Sequence, residues 1–127
     1  MSHNVEYTAE FEAWWDGLTR REQTDAAKVV DLLVVRGTAL GSPQSSNVKS
    51  SRHPHMRELR IQSGGRPIRI FYAFDPRRTA ILLIGGRKMD GERFYREYVR
   101  QADEIYDEYI QQLRREGLLE SKRERER

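Results

Sequence analysis

Cations crowd one stretch of this sequence. Lys49, Arg52, Arg57, Arg60, Arg66 and Arg69 fall between Lys49 and Arg69, His53 and His55 lie among them, and only Glu58 opposes them. Arg87 and Lys88 follow as a further basic pair. Guanidinium groups bind phosphate through two parallel hydrogen bonds and keep their charge at any accessible pH. Side chains of this kind stabilise the charge that develops during phosphoryl transfer. Each one that meets a phosphate also releases condensed counterions, so the stretch suits a polyanion. The alternative is a solvated loop and hairpin, whose charges serve only solubility. Arginine is a poor proton shuttle because its pKa exceeds ~12. The ordinary acid–base candidates are His53 and His55, since imidazole titrates near ~6.5; each reads equally as a loop histidine or a nucleic-acid contact.

Other chemistries are excluded or unsupported. The chain has no cysteine, which removes disulfides, thiolate zinc sites and Cys nucleophiles. His3 and the acidic residues show no metal-ligand spacing, so neither a metal nor any other cofactor is expected. Gly64-Gly65 and Gly85-Gly86 do not form a phosphate-binding loop signature.

The elements that would position these cations follow from periodicity. Val5-Glu6-Tyr7 reads as a short strand, and Thr8 as the N-cap of a helix whose apolar stripe is Phe11, Trp14, Trp15 and Leu18. That helical spacing assigns both tryptophans to core packing rather than to stacking on bases. Thr19 and Glu22 have capping-box spacing at the start of a second helix, which buries Ala26, Val29, Val30 and Leu33 and stops at Gly37. Thr38 to Asn47, rich in Gly, Ser, Thr and Pro, reads as loop. Arg57–Ile61 alternates, Ser63-Gly64-Gly65 turns, and Ile68, Ile70, Tyr72 and Phe74 share one face of the next strand. Thr79 to Ile84 lacks alternation and reads as a strand covered on both sides. Glu92 to Leu113 returns to helical period, and Gly117 ends it.

The predicted architecture is α+β: a small, mostly antiparallel sheet with an N-terminal helical hairpin and a C-terminal helix, the helices covering one face and the other left open. If Leu59, Ile61, Ile68 and Ile70 point to the core, Arg60 and Arg69 are neighbours on the open face. Arg87 leaves the end of the next strand and is expected to converge with them. Like charges on adjacent strands repel. That arrangement makes sense with a phosphate between them, or with the arginines solvated or paired with Glu58 or Asp residues.

Bulk composition frames this reading. The 127 residues point to one domain, predicted over residues 1–117, with a charged, disordered tail over 118–127. Hydrophobic residues are 37% and charged residues 34%, with a formal net charge of +3. The longest apolar run, Ala80 to Ile84, is far short of a membrane span, and the start carries no secretory pattern. A cytoplasmic location, without membrane association, is expected.

The run Met56-Arg57-Glu58-Leu59-Arg60, the strand Arg69-Ile70-Phe71-Tyr72, and Leu82-Leu83-Ile84-Gly85-Gly86-Arg87-Lys88 followed by Arg93-Phe94-Tyr95 resemble the RelE/ParE toxin superfamily of type II toxin–antitoxin systems, in its HigB-like, phage Gp49-like branch. The resemblance covers roughly Val5 to Leu113. It implies a RelE-like microbial-ribonuclease fold and a metal-independent endoribonuclease, an mRNA interferase that inhibits translation by cutting mRNA on the ribosome. It implies Arg60 holding the scissile phosphate or assisting removal of the 2′ proton, and Arg69 stabilising the transition state. Arg87 would assist the leaving oxygen, and Tyr95 would orient the 2′-OH or stack on a base. Tyr95 also lies on the apolar stripe of the last helix and reads equally as core. Lys49, Arg52, His53, His55, Arg57, Arg66 and Lys88 are the RNA-binding candidates. Relatives can carry a lysine where this chain has Glu58, which pairs with Arg57 or Arg66 or serves as a base. The implied partners are a helix-turn-helix antitoxin, mRNA and the ribosome, with operator DNA reached only through the antitoxin. Two other readings stand beside this one: a non-catalytic gyrase poison like the ParE branch, and a nucleic-acid-binding module without activity.

Overall fold

The computed structural model describes residues 3–119. The element order is β1 (Val5–Tyr7), α1 (Ala9–Asp16), α2 (Arg20–Arg36), a single 3₁₀ turn (Gly37–Ala39), β2 (Ser45–Asn47), β3 (Arg57–Ser63), β4 (Arg66–Phe74), β5 (Ala80–Arg87) and α3 (Gly91–Arg115). The five strands form one sheet in the order β1-β5-β4-β3-β2; β1 runs parallel to β5 and every other pair is antiparallel.

Local signals place the helices as expected. Thr8 caps α1, accepting from the Phe11 N–H at 3.0 Å, and its hydroxyl donates to the Leu83 carbonyl at 2.7 Å, which fastens the helix start to β5. The capping box at α2 is complete: Glu22 N–H donates to Thr19 Oγ1 at 3.1 Å and Thr19 N–H donates to Glu22 Oε1 at 2.8 Å. At the end of α3, Gly117 takes φ +74°, its N–H reaches the Arg114 carbonyl, and the Leu118 N–H reaches that of Leu113. This Schellman arrangement satisfies the last free carbonyls.

Two findings depart from the sequence reading. First, both faces of the sheet are covered. Leu59, Ile61, Ile68, Ile70, Tyr72 and Leu82 face Phe11, Ala26 and Leu33 of the helical hairpin. Phe71, Ala73, Ile81 and Leu83 face Phe94, Val99, Ala102, Tyr106 and Ile110 of α3. β4 and β5 are apolar on both sides, so an uncovered face would leave Phe71 and Leu83 in water at a cost of about 1.5–3 kcal/mol each. Second, Ser45–Asn47, read as loop, forms the edge strand β2. Its pairing rests on polar side chains rather than alternation: buried Ser45 Oγ meets Tyr72 Oη at 2.5 Å.

β4 and β5 slip register between Phe71 and Tyr72: Phe71 lies opposite Ile84 and Tyr72 opposite Leu82. The extra residue is a β-bulge, and it reverses the facing of everything in β5 that follows. The end of the predicted domain lies beside Leu119, which still packs on the α3 core. The charged segment Ser121–Arg127 lies outside the described residues.

Candidate phosphate site

The β3–β4 hairpin sets the centre of the site. Its register places Arg60 directly opposite Arg69, and Glu58 opposite Phe71, on the face covered by α3. Arg69 is 8% exposed, whereas the Arg60 side chain is 47% exposed and opens to solvent. Glu58, 3% exposed, lies between them. Its Oε1 is 3.1 Å from Arg69 Nε and 3.4 Å from Arg60 Nε. The Tyr95 hydroxyl donates to the same oxygen at 2.6 Å, and Arg69 Nε donates to the Tyr95 oxygen at 3.4 Å. A further Arg69 N–H reaches the Ile68 carbonyl at 3.1 Å, which fixes the guanidinium.

Tyr95 comes from the first turns of α3 and is wedged edge-on between Phe71 and Phe94, with ring centroids 6.0 and 5.5 Å away. Burial and the hydrogen bond to Glu58 push its phenol pKa above the usual tyrosine range. The residue is therefore neutral and a donor at physiological pH. Lys88 Nζ lies 5.4 Å from the Tyr95 ring centroid, a cation–π contact. α3 can approach this closely only over glycine: a Cβ on Gly86 would lie 2.7 Å from the Tyr98 ring.

Of the residues expected to act together, Arg60, Arg69 and Tyr95 meet and Arg87 does not. The bulge turns Arg87 to the opposite face, where it lies across from Ile68. There its Nε and a terminal nitrogen donate to the two oxygens of Glu22, both at 2.6 Å. Those bonds, with that from the Thr19 N–H, hold the Glu22 carboxyl down at about 2 despite its burial. Lys88, rather than Arg87, lies beside Tyr95. A strand without alternation gave no sign of the extra residue, so the facing of Arg87 could not be read. Glu58 was legible: it sits two residues before Arg60 and so shares its face.

The other RNA-binding candidates scatter. Arg57 faces the helical-hairpin side and is spent on structure, donating to Asn47 Oδ1 at 2.6 Å and Ser45 Oγ at 3.0 Å. Arg66 is exposed at the hairpin turn, and Lys49 is exposed on the loop before β3. That loop is bound to α3. Arg52 pairs with Asp107, His53 Nε2 is 2.9 Å from Asp107 Oδ1, and Ser51 donates to Asp103 at 2.5 Å. His53 and His55 pack against the Tyr106 ring, and burial with the neighbouring His53 lowers the pKa of His55. Neither histidine makes a hydrogen bond or ion pair to Arg60, Arg69 or Tyr95. Among the described residues no cluster of three or more His, Asp or Glu side chains could hold a metal ion.

Residues 13–107 match the phage-derived Gp49-like family (DUF891). This chain belongs to that family. Two relatives from Mycobacterium tuberculosis carry toxin names. HigB2 is 38% identical over 118 residues, covering 89% of this chain and 59% of its own length. HigB3 is 37% identical over 100 residues, covering 78% of this chain and 86% of its own. The chain thus spans about three fifths of HigB2 and most of HigB3. As a fold, the Gp49-like chain is similar to RelE. A doubly substituted form of the E. coli toxin RelE in the free state aligns with TM-score 0.55 at 10% identity, over 89% of this chain and 99% of that one. A chain of the archaeal RelE–RelB complex from Pyrococcus horikoshii aligns with TM-score 0.53 at 11% identity, over 72% of this chain and 100% of that one. The α+β architecture, with two N-terminal helices, a mostly antiparallel five-stranded sheet and a C-terminal helix, is RelE-like. Among the described residues no helix is long and apolar enough to cross a membrane.

Proposed function

We propose that this Gp49-like chain is the toxin of a type II toxin–antitoxin pair and acts as an endoribonuclease on mRNA, engaged on the ribosome. The observation that carries the reading is the direct pairing of Arg60 with Arg69 around Glu58 and the Tyr95 hydroxyl. Two guanidiniums facing each other across a hairpin repel, and one buried carboxylate offsets only part of that charge. With Lys88 over the Tyr95 ring, the site holds three cations and one carboxylate. A phosphodiester entering beside Arg60 completes the neutralisation.

The chemistry is transphosphorylation. The ribose 2′ oxygen attacks phosphorus, the bond from phosphorus to the 5′ oxygen breaks, and a cyclic phosphate and a 5′-hydroxyl end result. Arg69, fixed by the Ile68 carbonyl, meets the charge that builds on the phosphoryl oxygens. Arg60, more exposed, draws the phosphate in. A phosphate that takes over the guanidiniums releases the Glu58 carboxylate from its ion pairs, and Glu58 then accepts the 2′ proton. The Tyr95 phenol, kept neutral, donates a hydrogen bond. The leaving 5′ oxygen takes its proton from Lys88 or from water. The arginines and Lys88 supply the charge that this route needs, so it proceeds without a metal.

Such a toxin acts in the cytoplasm and has a cognate antitoxin, a small helix-turn-helix protein that also carries it to operator DNA. Induced expression in a bacterial host tests the reading, wild type beside Arg69→Ala, with growth and transcript 5′ ends followed together. Growth arrest with new 5′ ends inside coding regions, both lost in the variant, is expected. Arrest with intact transcripts would overturn the nuclease reading in favour of a gyrase poison.

A further inference from the structure

Beyond the phosphate site, a groove of about 440 Å³ runs between the N-terminal half of α3 and the loop before β3. Tyr95 and Val99 form its floor, Arg96 and Arg100 one wall, and Ser50 and Arg52 the other, with Glu92 and Asp103 also on its lining, so three arginines stand against two carboxylates. Tyr95 belongs to both places: its hydroxyl is bound to Glu58, and its ring lines the groove. The groove is therefore the continuation of the candidate site along α3.

Of its three arginines one is neutralised by a neighbour and two, among the described residues, are not. Arg52 is engaged by Asp107, and Asp103 is buried beneath Ser51 and the Arg52 N–H. Among the described residues Arg96 and Arg100 form no ion pair or side-chain hydrogen bond, whereas Arg93 one turn away pairs with Glu97 at 3.2 Å. Two unpaired guanidiniums one helical turn apart, about 6 Å along the axis, can meet successive phosphates of an extended strand. An aromatic and aliphatic floor beneath them accepts a base or a sugar face. A basic wall over an apolar floor suits single-stranded nucleic acid better than a protein segment, which would need acidic side chains in register with both arginines.

We propose that this groove binds the single-stranded RNA flanking the scissile phosphate, with Arg96 and Arg100 on its backbone and a base or ribose against Tyr95 and Val99. The assignment rests on the ribonuclease reading for its substrate class. It adds two binding residues that lie outside the basic stretch from Lys49 to Arg69.

The test uses the full chain and a fluorescein-labelled single-stranded RNA of about 12 nucleotides, with 2′-O-methyl riboses so that no attacking hydroxyl is present. Binding is titrated at several salt concentrations for wild type, Arg96→Ala/Arg100→Ala and Arg114→Ala. Arg114 is exposed on the far half of the same helix, so its removal takes one positive charge outside the groove, against two within it in the double variant. In the double variant, affinity should fall about 10-fold near 0.15 M salt, and the slope of log affinity against log salt should lessen by about 1.4, two contacts at roughly 0.7 each. Arg114→Ala should match wild type. Circular dichroism confirms that each variant is folded. Equal affinity and slope in the folded double variant would overturn the proposal, as would an equal loss in Arg114→Ala. The nuclease reading is judged separately, by the transcript ends after induced expression in a bacterial host. If no new 5′ ends appear while the groove variant still loses binding, the nuclease reading falls and the groove stands.

Discussion

Arg87 and Lys88 are adjacent in sequence and serve opposite faces of the sheet: Arg87 clamps Glu22 of α2, and Lys88 lies over the Tyr95 ring on the α3 side. Removing each should therefore give a different phenotype. Lys88→Ala should lower cleavage at least several-fold while leaving the unfolding midpoint within about 0.5 kcal/mol of wild type. Arg87→Ala should cost about 1 kcal/mol in denaturant unfolding, because the pair is bidentate but the arginine is partly solvated. Its activity should follow its stability. Activity lost in a fully folded Arg87→Ala would place Arg87 back in the chemistry.

The same clamp gives a pH dependence. The Arg87 guanidinium and the Thr19 N–H hold Glu22 at about 2 in the folded chain, below the ordinary carboxylate value. A depressed folded pKa contributes stability above the unfolded value near ~4.3, and this is lost as pH falls toward 2. Wild type should lose on the order of 1–2 kcal/mol more than Glu22→Gln across that window, after allowance for solvent at Arg87. Parallel stability curves for the two proteins between pH 5 and pH 2 would contradict the assignment.

Much of this was legible before the fold was known, and the gaps have physical causes. Alternation in Arg57–Ile61 and Ile68–Phe74 sufficed to set Arg60 beside Arg69, because a short turn and period-2 geometry fix the register between them. The stripe of α3 was equally plain, but an amphipathic helix does not say which sheet face it covers. Nor did the loop before β3 reveal that Ser51, Arg52 and His53 would be bound by Asp103 and Asp107, since those contacts span about fifty residues. The bulge at Phe71/Tyr72 falls opposite a strand apolar on both sides, where a one-residue slip leaves no trace in the pattern.

Gly85 faces the helical hairpin, and a Cβ there would lie 2.4 Å from the Trp14 ring. The ring belongs to α1 and packs on Phe11 at 5.5 Å, so it has little room to retreat. Gly85→Ala should destabilise by about 1–3 kcal/mol through overpacking. Gly85→Ala combined with Trp14→Leu should recover part of that loss in a double-mutant cycle. Additive losses would mean that the ring is not what excludes the methyl group.

Glu58 separates a catalytic site from a binding site built of the same arginines. Glu58→Gln keeps the shape and the hydrogen bond from Tyr95 but cannot accept a proton, and it relieves the ion pairs with Arg60 and Arg69. Cleavage should fall by roughly 10²–10⁴, the range of a lost general base. Affinity for the 2′-O-methyl RNA should hold or rise, because two cations are no longer shared with a carboxylate. If Glu58 only restrains the arginines, Glu58→Gln will cut RNA as fast as wild type or faster. That outcome would pass the proton to another group. A rate profile against pH for both proteins then decides whether a histidine supplies it, since an imidazole base would bring a rise near ~6.5 that survives in Glu58→Gln.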